Sequence, residues 1–217
     1  MSMGQWIVRD FPRLQLEIIN RIVKFPTALL SDCMNRFQTL DASIKSLHIG
    51  RRMAGPAFTV QAMPSCNWGA HQALALAKRG DVLVIDAQGS SRNAVWGYVM
   101  TVAAKNIGLA GVVIDGCIRD AMENRGDTLP IFCKGICSGG PHKGWPENIN
   151  VAISCGGVAI LPGDIIVGDD DGVVAVPVDK VNEVLDEAVK RMKIEQDWYE
   201  RLKKGETTLE LLGMRPI

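Results

Sequence analysis

Two stretches of this chain, Gly80-Asp81-Val82-Leu83-Val84-Ile85-Asp86 and Gly111-Val112-Val113-Ile114-Asp115, are each preceded by a segment with apolar residues at helical spacing. Each is too short for a helix. Neither alternates with polar residues, so each reads as a strand buried on both faces. The segment Asn67 to Lys78 (NWGAHQALALAK) predicts a helix closed by Arg79-Gly80. After a loop, AQGSSRN, a second helix is expected from about Ala94 to Asn106, stopped by Gly108. Strands joined through helices lie parallel, so the repeat predicts an α/β fold with both sheet faces covered.

The second strand does not end as structural strands do. It runs on through Gly116-Cys117-Ile118 into Arg119-Asp120-Ala121-Met122-Glu123. The carboxyl ends of strands are where α/β proteins bind ligands, because helix N-termini aim their N–H groups into the crevice there. On that ground Arg119 is a candidate to hold an anion and Asp120 a cation. Two plainer readings stand beside it. Arg119 and Glu123 would face each other on a helix as a local ion pair, and Asp120 at a helix start could be a cap.

The rest of the chain fits around this unit. Residues 11–24 and about 28–37 read as two helices separated by Pro26-Thr27, and residues 1–40 form a helical arm. Ala54 to Met63 has strand composition, and residues 130–160 hold short apolar pieces broken by Gly-rich turns. Strands Ile165–Val167 and Val173–Val176 flank Gly168-Asp169-Asp170-Asp171-Gly172. That turn lacks the alternating ligands and distant glutamate of a calcium loop, so a hairpin is expected. Asp179 to Lys204 predicts one long charged helix with a seam of Val181, Val184, Leu185, Ala188, Val189 and Met192. Beyond Met192 the helix is too polar to pack on its own core, and residues 179–217 are expected to reach a neighbouring subunit.

Charge and composition narrow the function. With 24 Lys+Arg against 24 Asp+Glu there is no net charge to attract nucleic acid, and no apolar span is long enough for a membrane. The N-terminus lacks a signal-peptide pattern, and six scattered cysteines suit a reducing compartment, so a cytoplasmic location is expected. Cys133 and Cys137 lack zinc-site spacing. Ser138-Gly139-Gly140-Pro141-His142-Lys143-Gly144 resembles a phosphate loop in composition alone, though Lys143 could bring a cation near a site. His71, among Ala and Leu, reads as a satisfied, partly buried histidine; His48 and His142 have no evident partners.

The stretch WGYVMTVAAKNIGLAGVVIDGCIRDAMEN (96–124) resembles the signature of the RraA-like family. Similarity continues through the Asn67/His71 helix, GDVLVIDA (80–87), GGPHKG (139–144) and ISCGGVAILPGDIIVGDDDGVVAVP (153–177). This family includes divalent-metal-dependent 4-hydroxy-4-methyl-2-oxoglutarate / 4-carboxy-4-hydroxy-2-oxoadipate aldolases and bacterial regulators of ribonuclease E activity. The resemblance implies a single RraA-like domain over 1–217. It would be a compact swivelling β/β/α-type domain with a long C-terminal helix, assembled as a trimer or a dimer of trimers. It also implies a lyase acting on a pyruvate-derived 2-keto acid, with oxaloacetate decarboxylation through the same enolate. Arg119 would bind the pyruvate moiety and Asp120 would ligate Mg²⁺ or Mn²⁺. Backbone amides from Gly97 through Tyr98, Val99 and Met100 would hold the substrate carboxylate. Glu195 would reach a partner's metal site from the terminal helix. Glu123, from its spacing to Arg119, is read as the residue that orients that arginine.

One residue departs from the aldolase pattern. Tyr98 stands where the aldolases place an acidic side chain beside the metal, and a phenol is neutral near pH 7. As a catalytic-site residue it would weaken metal affinity, contact a different substrate, or mark loss of aldolase activity. The alternatives are a protein-binding regulator of RNA processing and a sugar-acid lyase or dehydratase.

Overall fold

A computed structural model describes residues 4–215. The chain begins with helices α1 (Leu16–Ile22) and α2 (Thr27–Cys33) and a short strand β1 (Lys45–Ser46). It then alternates β2 (Met53–Gln61), α3 (Trp68–Leu74), β3 (Val82–Trp96), α4 (Tyr98–Ile107), β4 (Gly111–Ile118), α5 (Ala121–Gly126) and β5 (Ile131–Ile136). A short strand β6 (Asn148–Ile149) precedes two hairpins, β7 (Ile153–Cys155) with β8 (Val158–Ile160) and β9 (Ile165–Asp169) with β10 (Gly172–Val176). Helices α6 (Val181–Lys203) and α7 (Thr208–Leu211) complete the chain. None of the described helices is long and apolar enough to cross a membrane.

Strands β2 to β5 are parallel neighbours, as the repeated helix-to-strand order predicts. The antiparallel pair β9–β10 extends the sheet from the first half of β2. The sheet then curls towards closure. Ala175 N–H donates to Gln38 O and Leu40 N–H to Val173 O, each at 3.0 Å, and a few residues later β1 pairs with β5. Residues 38–46 therefore join the two outer strands. Such closure removes exposed sheet edges.

Strand alternation sorts the core into layers. Val82, Val84, Val113, Phe132, Ile166 and Val173 point inward, where Ile153, Cys155, Val158 and Ile160 of the β7–β8 hairpin plug the curl. Leu83, Ile85, Val112 and Ile114 point outward against Ala70, Ala73, Met100 and Ala104 of α3 and α4. Ile165, Val167, Val174 and Val176 face α1, α2 and α6. Both faces of the parallel strands are covered, but one of them by the curled sheet and its plug rather than by helices.

Three sequence expectations change. The loop expected at 87–93 and the helix expected from Ala94 are instead an irregular continuation of β3, with Ala94 opposite Cys117 and Trp96 opposite Ile118. Burial of Ala94, Val95 and Trp96 against the core keeps the chain extended, and the helix starts only at Tyr98. The seam of α6 is shorter than its pattern: Val181, Val184, Leu185 and Ala188 are buried, while Val189 and Met192 are exposed. The hairpin at 168–172 forms as expected, but Asp169 has a second task. Its carboxylate accepts the Thr27 N–H at 2.9 Å and so caps α2.

Gly168 faces the inside of the curl, where a methyl group would lie 2.7 Å from Phe132 Cζ and 3.0 Å from Met53 Cε. Gly168→Ala is expected to destabilise the fold by about 1–3 kcal/mol through overpacking. Gly126→Ala, with no neighbour within 4 Å of the added methyl, should not destabilise it. Urea denaturation of both variants checks the contrast.

Candidate functional site

The last residues of β3 and β4 build the site. Arg119 N–H donates to Trp96 O at 2.9 Å, which carries the strand ladder one step past Ile118. The next residue, Asp120, takes the left-handed conformation (φ 55°, ψ 47°), and α5 starts after it. Non-glycine residues enter this region at a cost of about 1–2 kcal/mol, Asp more readily than most. The turn directs the carboxylate away from its own helix. Asp120 makes no side-chain cap on α5; its Oδ2 accepts the Tyr98 N–H at 2.9 Å, at the start of α4. A carboxylate there meets the positive end of the α4 dipole. Arg119 Nε lies 3.7 Å from the same oxygen.

The Arg119–Glu123 pairing expected from spacing does not form. Arg119 precedes α5 by two residues, so the helical i, i+4 relation never applies, and the ion partner of Arg119 is Asp120. Gly97 explains how the two charged side chains fit against α4. A methyl at Gly97 would lie 2.7 Å from Asp120 Oδ2 and 3.3 Å from Arg119 Nε, so a side chain would displace both. Above them lies the 139–144 loop, tied by Ala94 N–H to Gly139 O (2.8 Å), Asn93 Nδ2 to Gly140 O (2.6 Å) and His142 N–H to Ser65 O (2.7 Å).

Together these parts enclose a cleft of about 210 Å³. Arg119, Asp120 and the Gly97–Val99–Met100 turn line it together with Asn67, His71, Pro141 and Lys143. Burial holds the His71 pKa below its usual value, and the nearby Lys143 charge adds to the effect. His71 is thus neutral near pH 7. Asn67 is only 4 % exposed, and its Oδ1 has no hydrogen-bond partner, which leaves a buried acceptor in the cleft wall. The Val99 N–H, in the first turn of α4, is likewise not used within the described residues. The cleft combines two cations, one carboxylate and unused neutral hydrogen-bonding groups.

A family model for RraA-like proteins, described as Aldolase/RraA, matches residues 27–175. The chain belongs to the RraA-like family. It is 40% identical over 177 residues to a Halalkalibacterium halodurans protein that carries the name "Putative 4-hydroxy-4-methyl-2-oxoglutarate aldolase", covering 82% of this chain and 84% of that one. The fold is similar to that of Streptomyces coelicolor RraAS2, described as an unusual member of the RNase ES inhibitor RraA family. That similarity has a TM-score of 0.80 at 31% identity, over 87% of this chain and 100% of that chain. The RNA-processing inhibitor RraA from Thermus thermophilis gives a TM-score of 0.65 at 29% identity, over 70% and 92% of the two chains.

Of the residues that RraA-like similarity singles out, Arg119, Asp120, Gly97, Val99 and Met100 meet in the cleft. Tyr98 contributes its backbone there, but its hydroxyl turns to Asp127 Oδ2 at 3.4 Å, beside the Lys105–Asp127 ion pair. Glu195 lies in a different groove of the same chain, with Asp32, Arg36, Arg191 and Trp198. Among the described residues no three His, Cys, Asp or Glu side chains converge as a metal cage. Among the described residues Asp120 is the one carboxylate lining the cleft, and only its Oδ2 is engaged by them. That donor set fits Mg²⁺ or Mn²⁺, hard ions that keep several waters and need one or two carboxylates; it does not fit a zinc cage.

One contributor escapes sequence reading, and two are named there without a site role. Asn67 and His71 belong to the helix that the resemblance includes, and only the assembled cleft shows what they line. Asn124, four residues after Asp120, is fully buried beneath the site. With three histidines in the chain, NMR can follow His71 directly. Its titration midpoint is expected below the ordinary value of about 6.5. Lys143→Ala should move it upward by part of the shift, since burial contributes more than the lysine charge. Because the folded pKa is the lower one, His71 withdraws stability as pH falls from about 6.5 towards that midpoint.

Proposed function

We propose that this RraA-like protein is a divalent-cation-dependent carbon–carbon lyase that releases pyruvate from a 2-keto acid of the 4-hydroxy-4-methyl-2-oxoglutarate type. The observation that carries this reading is the shared placement of Arg119 and Asp120 at the N-terminus of α4, facing a cleft with unused hydrogen-bonding groups. An anion clamp beside a hard-cation ligand is what a 2-keto acid presents its two ends to. The name of the 40%-identical relative supports the same chemistry.

In this reading the Arg119 guanidinium grips the substrate's 1-carboxylate through its planar fork, with the Val99 N–H as a further donor. Asp120 faces the 2-keto oxygen, where a bound Mg²⁺ or Mn²⁺ would supply Lewis-acid polarisation. The C4 hydroxyl sits against Asn67 Oδ1, which accepts its hydrogen bond. The C4 hydroxyl proton passes to water, C4 becomes the carbonyl of the second product, the C3–C4 electron pair passes to the enolate of pyruvate, and a proton from water at C3 completes the release. Arg119 stabilises the enolate charge because its guanidinium is already in place. Lys143, in the same cleft, offers a cation to the second carboxylate. Decarboxylation of oxaloacetate would leave the same enolate and use the same groups.

The second half of α6 leaves Ile194 and Tyr199 exposed, with Glu195 half-buried beside them. We assign it to a neighbouring copy in a trimer or a dimer of trimers, so that Glu195 completes the partner's cleft. The Tyr98–Asp127 contact explains how a phenol is accommodated next to Gly97: it turns outward and leaves Asp120 as the cleft's carboxylate.

With Mg²⁺ or Mn²⁺ present, the protein is expected to release pyruvate from 4-hydroxy-4-methyl-2-oxoglutarate, read by a coupled NADH assay, and chelation should stop it. Arg119→Ala and Asp120→Asn should each lower kcat/KM by roughly 10²–10³-fold or more. No pyruvate from any of a panel of 2-keto acids, together with a metal-independent complex with an endoribonuclease, would favour the inhibitor role named for the Thermus and Streptomyces relatives.

A further inference from the structure

Arg119 and Asp120 are both partly exposed, and an ion pair at 3.7 Å in contact with water is too weak to fix their direction. What fixes them lies underneath. Asn124, in α5, is 0 % exposed, and every polar group of its side chain is used. Its Nδ2 donates to Arg119 O at 2.8 Å and to Asp120 O at 2.9 Å. Its Oδ1 accepts from the Thr101 hydroxyl at 2.6 Å, and that hydroxyl accepts from Trp96 Nε1 at 2.8 Å. The backbone carbonyl of Asn124 meets His48 Nε2 at 2.9 Å.

The donors fix the sense of this chain. The indole N–H can only donate, so the single hydroxyl hydrogen of Thr101 must go to Asn124 Oδ1. The carboxamide is then locked with both of its hydrogens on the two carbonyls; a flipped amide would set its oxygen against them. Helix α4 thereby holds Asp120 twice, on the side chain through the Tyr98 N–H and on the backbone through Thr101 and Asn124. Two independent restraints are what a left-handed aspartate needs to persist.

We propose that Asn124, set by the Trp96–Thr101 relay, is the positioning residue of the site: it orients the Arg119–Asp120 peptide units so that guanidinium and carboxylate converge on one ligand. Asn124 and Thr101 do not touch the ligand; they act through the two residues that do. The inference rests on the reading of Arg119 and Asp120 as the working pair. It adds that their competence depends on a buried hydrogen-bond chain anchored in β3 and α4.

Thr101 provides the test, because two substitutions separate hydrogen bonding from packing. Thr101→Val keeps the shape and loses the hydroxyl; Thr101→Ser keeps the hydroxyl and loses a methyl. Thr101→Val is expected to lower kcat and kcat/KM for pyruvate release together by at least tenfold, the pattern of a lost transition-state interaction. Thr101→Ser should stay within about threefold of the unsubstituted protein. Equal impairment of both, or a fully active Thr101→Val, would overturn the proposal. Crystal structures of both variants give a readout independent of activity. Residue 120 should leave the left-handed region, or the Arg119 and Asp120 side chains should separate, in Thr101→Val alone; an unmoved pair there would refute the positioning role even if the protein proves to have no lyase activity. Inactivity of the unsubstituted protein would instead count against the lyase reading, and the structures would still decide the positioning claim.

Discussion

The pairing of Trp96 with Ile118, at the far ends of β3 and β4, is the contact on which the site depends. The two strands separate from regular register after Ile85 and Ile114, yet they stay together long enough for Arg119 N–H to reach Trp96 O. That places Gly97, the first residue beyond β3, against Asp120, two residues beyond β4. The N-terminus of α4 and the carboxylate then meet without any side chain between them. If either strand stopped where its apolar run ends, at Asp86 or Asp115, the charged residues would fall on loops with nothing to direct them.

The site's electrostatics follow from this placement. A lone carboxylate lies between a guanidinium and a helix N-terminus with one oxygen left free, and Lys143 and uncharged groups line the same cleft. Burial holds the His71 pKa down, so near pH 7 this residue adds no further positive charge to the cleft. The same RraA-like fold carries proteins named as aldolase and as RNA-processing inhibitors. Fold alone therefore does not assign activity.

Much of this was legible in the sequence, and for stated reasons. Short runs such as Val82–Ile85 and Val112–Ile114 have no stable alternative to a buried strand, and the charges after Ile118 stand out against them. The losses are equally specific. Ala94-Val95-Trp96 suits a helix as well as a strand, and only the distant partners Cys117 and Ile118 decide it. Counting Glu123 as the partner of Arg119 assumed a helix that begins two residues later. The curl of the sheet depends on a few bonds between residues 38–46 and the strands β10 and β5, far apart in the chain and without a local pattern. A buried Asn124 looks in sequence like any surface polar residue, and Glu195 lies in a groove away from the cleft of its own chain.

The central claim is that one end of the β3–β4 pair holds a hard divalent cation and a 2-keto acid side by side. A crystal structure of the protein soaked with Mn²⁺ and pyruvate, read through anomalous scattering, tests it most directly. The account predicts a manganese peak bonded to an Asp120 carboxylate oxygen, at about the 2 Å of hard-cation ligation, with the pyruvate carboxylate on Arg119 and its keto oxygen turned to the metal. Manganese elsewhere, for example on the acidic turn at Asp169–Asp171, with pyruvate absent from Arg119, would contradict it.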